Sequence, residues 1–156
     1  MSTREFDLQI AALLWDSLLD ELERRGNRER ESGAFLLAQP NSRQVTKSLY
    51  YDDLCPGCLV EGYVRFDSSG YVRLSAICQA RQLKVIADVH THPGQWTGQS
   101  RSDREHPMMP RDGHVGLIVP WYAQGRRGVL DGVGAYLYRG DGQWESFRDR
   151  LKLLLS

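Results

Sequence analysis

The sequence predicts an α+β fold, an α/β sandwich built on one curved mixed sheet flanked by helices. Three observations carry that reading. Apolar residues from Leu8 to Arg25 recur at helical spacing. Gly33 to Ala38 and Lys84 to His92 contain short apolar runs bounded by turn residues, the pattern of buried strands. Strands and helices alternate in the first half, whereas the later strands follow one another without helices, which favours helices packed on a mixed sheet.

In the first element, Leu8, Ala11, Ala12, Trp15, Leu18, Leu19 and Leu22 form one stripe, with charges opposite and Gly26 as a stop. Its start, Phe6 to Ile10, also fits a short strand leading into the helix. Gly33–Ala38 is closed by Pro40 and Asn41, and Gln44 to Tyr51 reads as a second strand. Tyr63 to Phe66 is a weaker strand. Tyr71 to Gln82 fits a helix with Val72, Ser75, Ala76, Gln79 and Leu83 along one side. Lys84 to His92 is a central strand, and Val115 to Trp121 and Val133 to Tyr138 are two more. Arg148 to Leu155 is a short amphipathic helix or strand. Pro93 to Arg111 is long for a connection in a compact domain and rich in proline and polar residues, which marks a functional loop.

At 156 residues the chain is expected to form one domain, spanning 1–156. Lys plus Arg and Asp plus Glu number 20 each, and Arg24, Arg25, Arg28 and Arg30 are interleaved with acids, so the charge balance points to neither a nucleic-acid nor a membrane partner. No apolar run reaches the roughly 20 residues of a membrane span. Met1-Ser2-Thr3-Arg4-Glu5 does not read as a secretory signal. With three cysteines, an odd number, a cytoplasmic location is expected. No repeat is found, and nothing bears on the oligomeric state.

The chemistry concentrates in His90-Thr91-His92-Pro93, followed by Ser100 and Asp103. Alternate side chains of a strand share a face, so His90 and His92 point together, and Pro93 ends the strand beside them. A turn can bring Asp103 back over that end. Two imidazole nitrogens and one carboxylate oxygen suit zinc and leave a fourth position open, as in a catalytic site. A His-x-His pair alone is common, and Ser100-x-x-Asp103 alone reads as a helix-capping box. The two readings are compatible, because a cap at Ser100 would aim Asp103.

This spacing resembles the JAMM motif of the JAB/MPN metalloproteases. That motif also needs a glutamate at the head of an apolar strand, and Glu31-Ser32-Gly33-Ala34-Phe35-Leu36-Leu37 fits. The resemblance covers most of the chain and implies the MPN/JAB (cytidine-deaminase-like) architecture. It implies one Zn2+ held by His90, His92 and Asp103, with the pKa of bound water lowered toward about 7. It makes Glu31 the general base and Ser100 the hydrogen-bond donor to the oxyanion, a role worth roughly 2.7–4 kcal/mol in other enzymes. No His-Glu-x-x-His helix signals another class of zinc protease. The Ser100 to Met108 stretch and Gly113-His114-Val115 are similar to small bacterial forms. These imply an isopeptidase that cleaves after the C-terminal glycine of a ubiquitin-like modifier, with that modifier and its conjugation enzymes as partners. The motif loop and Asp52 to Gly62 are candidates for gripping its tail. Processing of a sulfur-carrier protein or small amide, and a metal-free MPN scaffold, are the other readings.

Four features stand apart. Cys55-Pro56-Gly57-Cys58 has redox or zinc-knuckle spacing but sits in a turn-rich stretch, and Cys78 supplies no second ligand pair. His106 is a candidate substrate contact. Asp112-Gly113-His114 reads as a turn opening the next strand, with His114 partly buried. Trp96 either closes the loop against the core or walls a substrate path.

Overall fold

The computed structural model describes residues 7–60, 62–125 and 127–155. In chain order these form β1 (Leu8–Ala11), α1 (Ala12–Gly26), β2 (Gly33–Ala38), β3 (Lys47–Tyr50), α2 (Tyr51–Leu54), β4 (Leu59–Val60), β5 (Tyr63–Val64), α3 (Ser68–Arg81), β6 (Lys84–Thr91), α4 (Arg101–Glu105), β7 (Val115–Val119), β8 (Gly134–Tyr138), β9 (Trp144–Ser146) and β10 (Leu151–Leu154). Short 3-10 turns lie at Trp121–Ala123 and Arg148–Arg150.

Six strands make the main sheet in the order β3-β2-β6-β7-β8-β9. The β6–β7 pair is parallel and the others are antiparallel. The expected mixed α+β architecture is thus the observed one. Both faces of the centre are covered, so β2 is buried at all six positions and reads as an unbroken apolar run. Its alternate residues separate by face. Ala34, Leu36 and Ala38 pack with Trp15, Leu18 and Leu22 of α1, while Phe35 and Leu37 pack with Tyr51, Leu54 and Leu74 on the α3 side. The ladder between β2 and β6 skips Ile86: Leu36 pairs with Ala87 and Leu37 with Val85. This bulge sets which residues beyond it face α1 and which face α3.

Several boundaries differ from the sequence reading. Leu8 to Ala11 is a strand, paired in parallel with β10, and the helix begins only at Ala12; Phe6 lies outside the described residues. The C-terminal segment is therefore a 3-10 turn, Arg148–Arg150, followed by the strand Leu151–Leu154. The middle helix starts at Ser68, because the Asp67 carboxylate caps it by accepting from the Gly70 N–H at 3.1 Å. Its buried face also differs from the one read: Leu74 and Gly70 face the core, whereas Val72 is 68% exposed. Strand β3 is shorter than read, since Tyr51 opens the helical turn α2. The weak strand at Tyr63 pairs with an unread partner, Leu59–Val60. Strand β9 was also unread, and its three residues are too short a run for periodicity to register. Among the described residues, no helix is long and apolar enough to cross a membrane.

Gly33 packs where β2 meets β6. A Cβ there would run into the Tyr51 ring and sit 2.6 Å from the Val89 carbonyl oxygen. Gly33→Ala is therefore expected to destabilise the fold by about 1–3 kcal/mol, the usual range for overpacking, read as a lower midpoint in denaturant melts; an unchanged midpoint would contradict this packing.

Candidate metal centre

Two strand ends build the site. Thr91, at the end of β6, is buried, and its Oγ1 accepts the Ser32 N–H at 3.0 Å while its own N–H donates to the Ser32 carbonyl at 3.0 Å. The Ser32 hydroxyl in turn donates to the Leu22 carbonyl of α1 at 2.7 Å. This clasp holds Glu31 just ahead of β2, where Gly33 pairs with His90. On the α3 side of the sheet, Asp88, His90 and His92 follow one another at alternate positions, as strand periodicity requires.

His92 is fixed from three directions. Its Nδ1 lies 3.1 Å from the Trp96 carbonyl, a contact that requires Nδ1 to carry the proton and so leaves the Nε2 lone pair aimed into the site. Its N–H donates to the Val119 carbonyl at 2.8 Å, and its carbonyl accepts from Tyr122 N–H at 2.9 Å. Tyr122 belongs to a turn in which Trp121, Tyr122 and Ala123 all have left-handed φ, at 59°, 51° and 66°. Non-glycine residues adopt that region only when surrounding contacts impose it.

Asp103 arrives by the predicted cap. The Ser100 Oγ accepts the Asp103 N–H at 3.0 Å, and the Asp103 carboxylate accepts the Ser100 N–H at 2.9 Å, a complete capping box. The carboxylate then points at both imidazoles. His90 Nε2 and His92 Nε2 are 3.2 Å apart, His90 Nε2 is 3.3 Å from Asp103 Oδ1, and His92 Nε2 is 3.4 Å from Oδ2. Each imidazole thus faces a different Asp103 oxygen, at a separation close to the roughly 3.3–3.4 Å between ligands of tetrahedral zinc, and the donor types suit that ion. The Glu31 carboxylate forms a group of its own with the two imidazoles, the three lying within 4.8 Å of one another.

The charges are interdependent. Burial acts to raise the Asp103 carboxyl pKa, but the hydrogen bonds and charge that His90 and His92 supply when their rings are protonated outweigh it and hold the group far below the usual carboxylate range. Burial lowers the His90 pKa, yet the hydrogen bond and charge of Asp103 carry it above the ordinary imidazole value. Glu31 goes the other way: burial pushes its carboxyl up, and the attraction of His90 and His92 only partly offsets this.

Glu31, His90 and Asp103 open into a cleft of about 350 Å³ that Ser100, His106 and Met108 also line. Trp96 stacks on the His92 ring at 5.5 Å and 22° yet remains 61% exposed, so it backs the histidine and faces outward at once. The cysteines lie elsewhere. Cys58 N–H donates to the Cys55 carbonyl in a turn, both thiols are buried and unbridged, and burial pushes the Cys58 thiol up to about 12, away from reactivity. His114 is fully buried, against the partial burial read from sequence, because its Nε2 bonds to Asp88 at 2.7 Å. Ser32, Thr91, Asp88 and Tyr51 were not singled out in sequence. Of these, Asp88 and Thr91 had a usable signal, since strand alternation places Asp88 on the His90 face and Thr91 behind it.

No protein-family model matches the chain. Its fold is nevertheless that of the JAB1/MPN domain proteins. A JAB1/MPN domain protein from Archaeoglobus fulgidus superposes with a TM-score of 0.53 at 16% identity, over 96% of this chain and 98% of that one. The structure of JAMM, a metalloprotease-like zinc site in the proteasome and signalosome, superposes with a TM-score of 0.50 at 15% identity, over 96% and 97%. A protein from Salinibacter ruber gives a TM-score of 0.59 at 19% identity, over 89% and 88%. Glu31, His90 and His92 stand in this small MPN fold as a group that could hold a metal ion.

Thr91→Val keeps the shape of the clasp but strands the buried Ser32 N–H. It is expected to cost about 1–3 kcal/mol in chemical unfolding; a loss below the error of the melts would show that the clasp is dispensable.

Proposed function

We propose that the chain is a zinc hydrolase of amide or isopeptide bonds, with His90, His92 and Asp103 as ligands. The observation that carries this reading is the convergence of both Nε2 atoms, 3.2 Å apart, with the two oxygens of the Asp103 carboxylate at 3.3 and 3.4 Å and Glu31 beside the imidazoles. A bound zinc ion supplies a Lewis acid that lowers the pKa of water to about 7. Glu31 takes the proton from water and returns it to the leaving amine; its half-buried position and raised pKa suit a group that must be both base and acid. Ser100 Oγ accepts from the Asp103 N–H, so its own O–H remains to donate to an oxyanion.

The bond cut is, on this proposal, the one after the C-terminal glycine of a ubiquitin-like modifier, within a bacterial conjugation pathway in the cytoplasm. The motif resemblance supports this, and so do two structural features. Gly62, the last residue of the segment read as gripping the tail, lines the cleft, and Trp96 stands exposed beside His92. Strand β3 is an outer strand of the main sheet, where an extended tail can add by backbone pairing.

Glu31→Ala is expected to retain stoichiometric zinc by metal analysis while cleaving a glycine-ended modifier fusion at least about 100-fold more slowly. Loss of zinc in that variant would make Glu31 a ligand instead. His92→Ala is expected to lose the metal, and full zinc occupancy there would overturn the ligand set. A strong chelator should abolish cleavage and added zinc restore it; chelator-resistant cleavage would exclude the metal mechanism.

A further inference from the structure

The cleft continues past the metal centre into a pocket floored by Asp88. Asp88 lies two residues before His90 on the same face of β6, a separation of about 6–7 Å along the strand. It is 5% exposed, and its Oδ1 bonds to His114 Nε2 at 2.7 Å while its Oδ2 accepts from the Tyr51 hydroxyl at 3.1 Å. Each carboxylate oxygen keeps a second acceptor position. Opposite it in β7 stands Gly116, and the missing side chain leaves the floor open: a Cβ there would sit 3.9 Å from Asp88 Oδ1 and 3.7 Å from the Trp144 ring. The walls are aromatic, with Tyr51, Phe66 and Tyr71 on one side and Tyr136 and Trp144 on the other. Among the described residues lining the cleft, three are acids (Glu31, Asp88 and Asp103) and none is lysine or arginine.

We infer that this pocket receives a basic side chain, that of a lysine or arginine joined through its α-amine, from the residue on the amine side of a scissile peptide bond. The inference rests on the hydrolase reading and deepens it. In that reading Asp103 and the two imidazoles are committed to the metal and Glu31 to proton transfer, which leaves Asp88 as the acid of the cleft with no part in the chemistry. A buried carboxylate in an aromatic-walled pocket selects an ammonium or guanidinium group through charge-assisted hydrogen bonds. A glycine-ended acyl group carries no side chain to fill the space, so the occupant comes from the amine side. Asp88 thereby acts as a specificity-determining residue and touches no reacting atom.

The test uses the zinc-loaded full chain and peptides with a Gly-Gly acyl part joined to lysine, norleucine or glutamate at the first amine-side position. Lysine is expected to exceed norleucine in kcat/KM by about tenfold, with glutamate slowest, and Asp88→Asn should bring the lysine-to-norleucine ratio to about one. A ratio near one in the unaltered protein, or a ratio that survives in Asp88→Asn, overturns the inference. Calorimetry with lysinamide and norleucinamide on the unaltered protein tests the pocket without turnover. Tighter binding of lysinamide supports the inference, and equal binding overturns it. Cleavage of no peptide, together with tighter lysinamide binding, would defeat the hydrolase reading and leave the basic-group pocket standing.

Discussion

Ser32 and Thr91 grip each other across the ends of β2 and β6, and everything at the cleft depends on that clasp. The two residues lie far apart in sequence, yet each supplies a hydrogen bond to the other in a fully buried setting. Exclusion of water makes each bond costly to leave unmade. Ser32 also bonds to α1 through its hydroxyl, so one small residue, by backbone and side chain together, ties helix, strand and strand. Glu31 precedes it by one residue, and His90 and His92 flank Thr91. The functional groups are thus immediate neighbours of a rigid junction and inherit its precision.

Electrostatics finish what the clasp begins. The Asp103 carboxylate, burdened by burial, is held ionised by two imidazoles, while the Glu31 carboxyl close by is pushed toward its neutral form. Two acids of similar intrinsic strength are thereby driven apart by environment, the usual basis for assigning one to binding and the other to proton transfer. The left-handed turn at Trp121–Ala123 and the Trp96 carbonyl contribute on the same side, by holding His92 in one ring orientation.

The architecture and the four converging groups were legible in the sequence because each rests on a short-range rule. Strand alternation set His90 and His92 on one face, and Ser100-x-x-Asp103 announced the capping box that aims the carboxylate. What escaped was decided by contacts between distant segments. Val72 fits a helical stripe as well as Leu74 does, but Asp67 fixes where α3 starts, and packing against Phe35 and Tyr51 decides which side turns inward. Leu8 to Ala11 continues the helical period of α1, yet β10 claims its backbone from the other end of the chain. His114 looked like a turn residue until Asp88, on a neighbouring strand, gave it a partner.

The extra residue at Ile86 has a consequence for how such a chain can change. Side chains of a strand occupy its two sides like alternate letters of a two-letter frame, and the bulge is where that frame is shifted. Ile86 and Ala87 both face α1, so losing Ile86 would bring Val85 and Ala87 together opposite Leu37 and Leu36 and leave both imidazoles on the cleft side. Losing one residue between Asp88 and His90, with the ladder before it in register, would instead turn Thr91 into the cleft and both imidazoles beneath α1. The start of β6 can therefore shed a residue during descent, whereas the stretch that carries the histidines cannot.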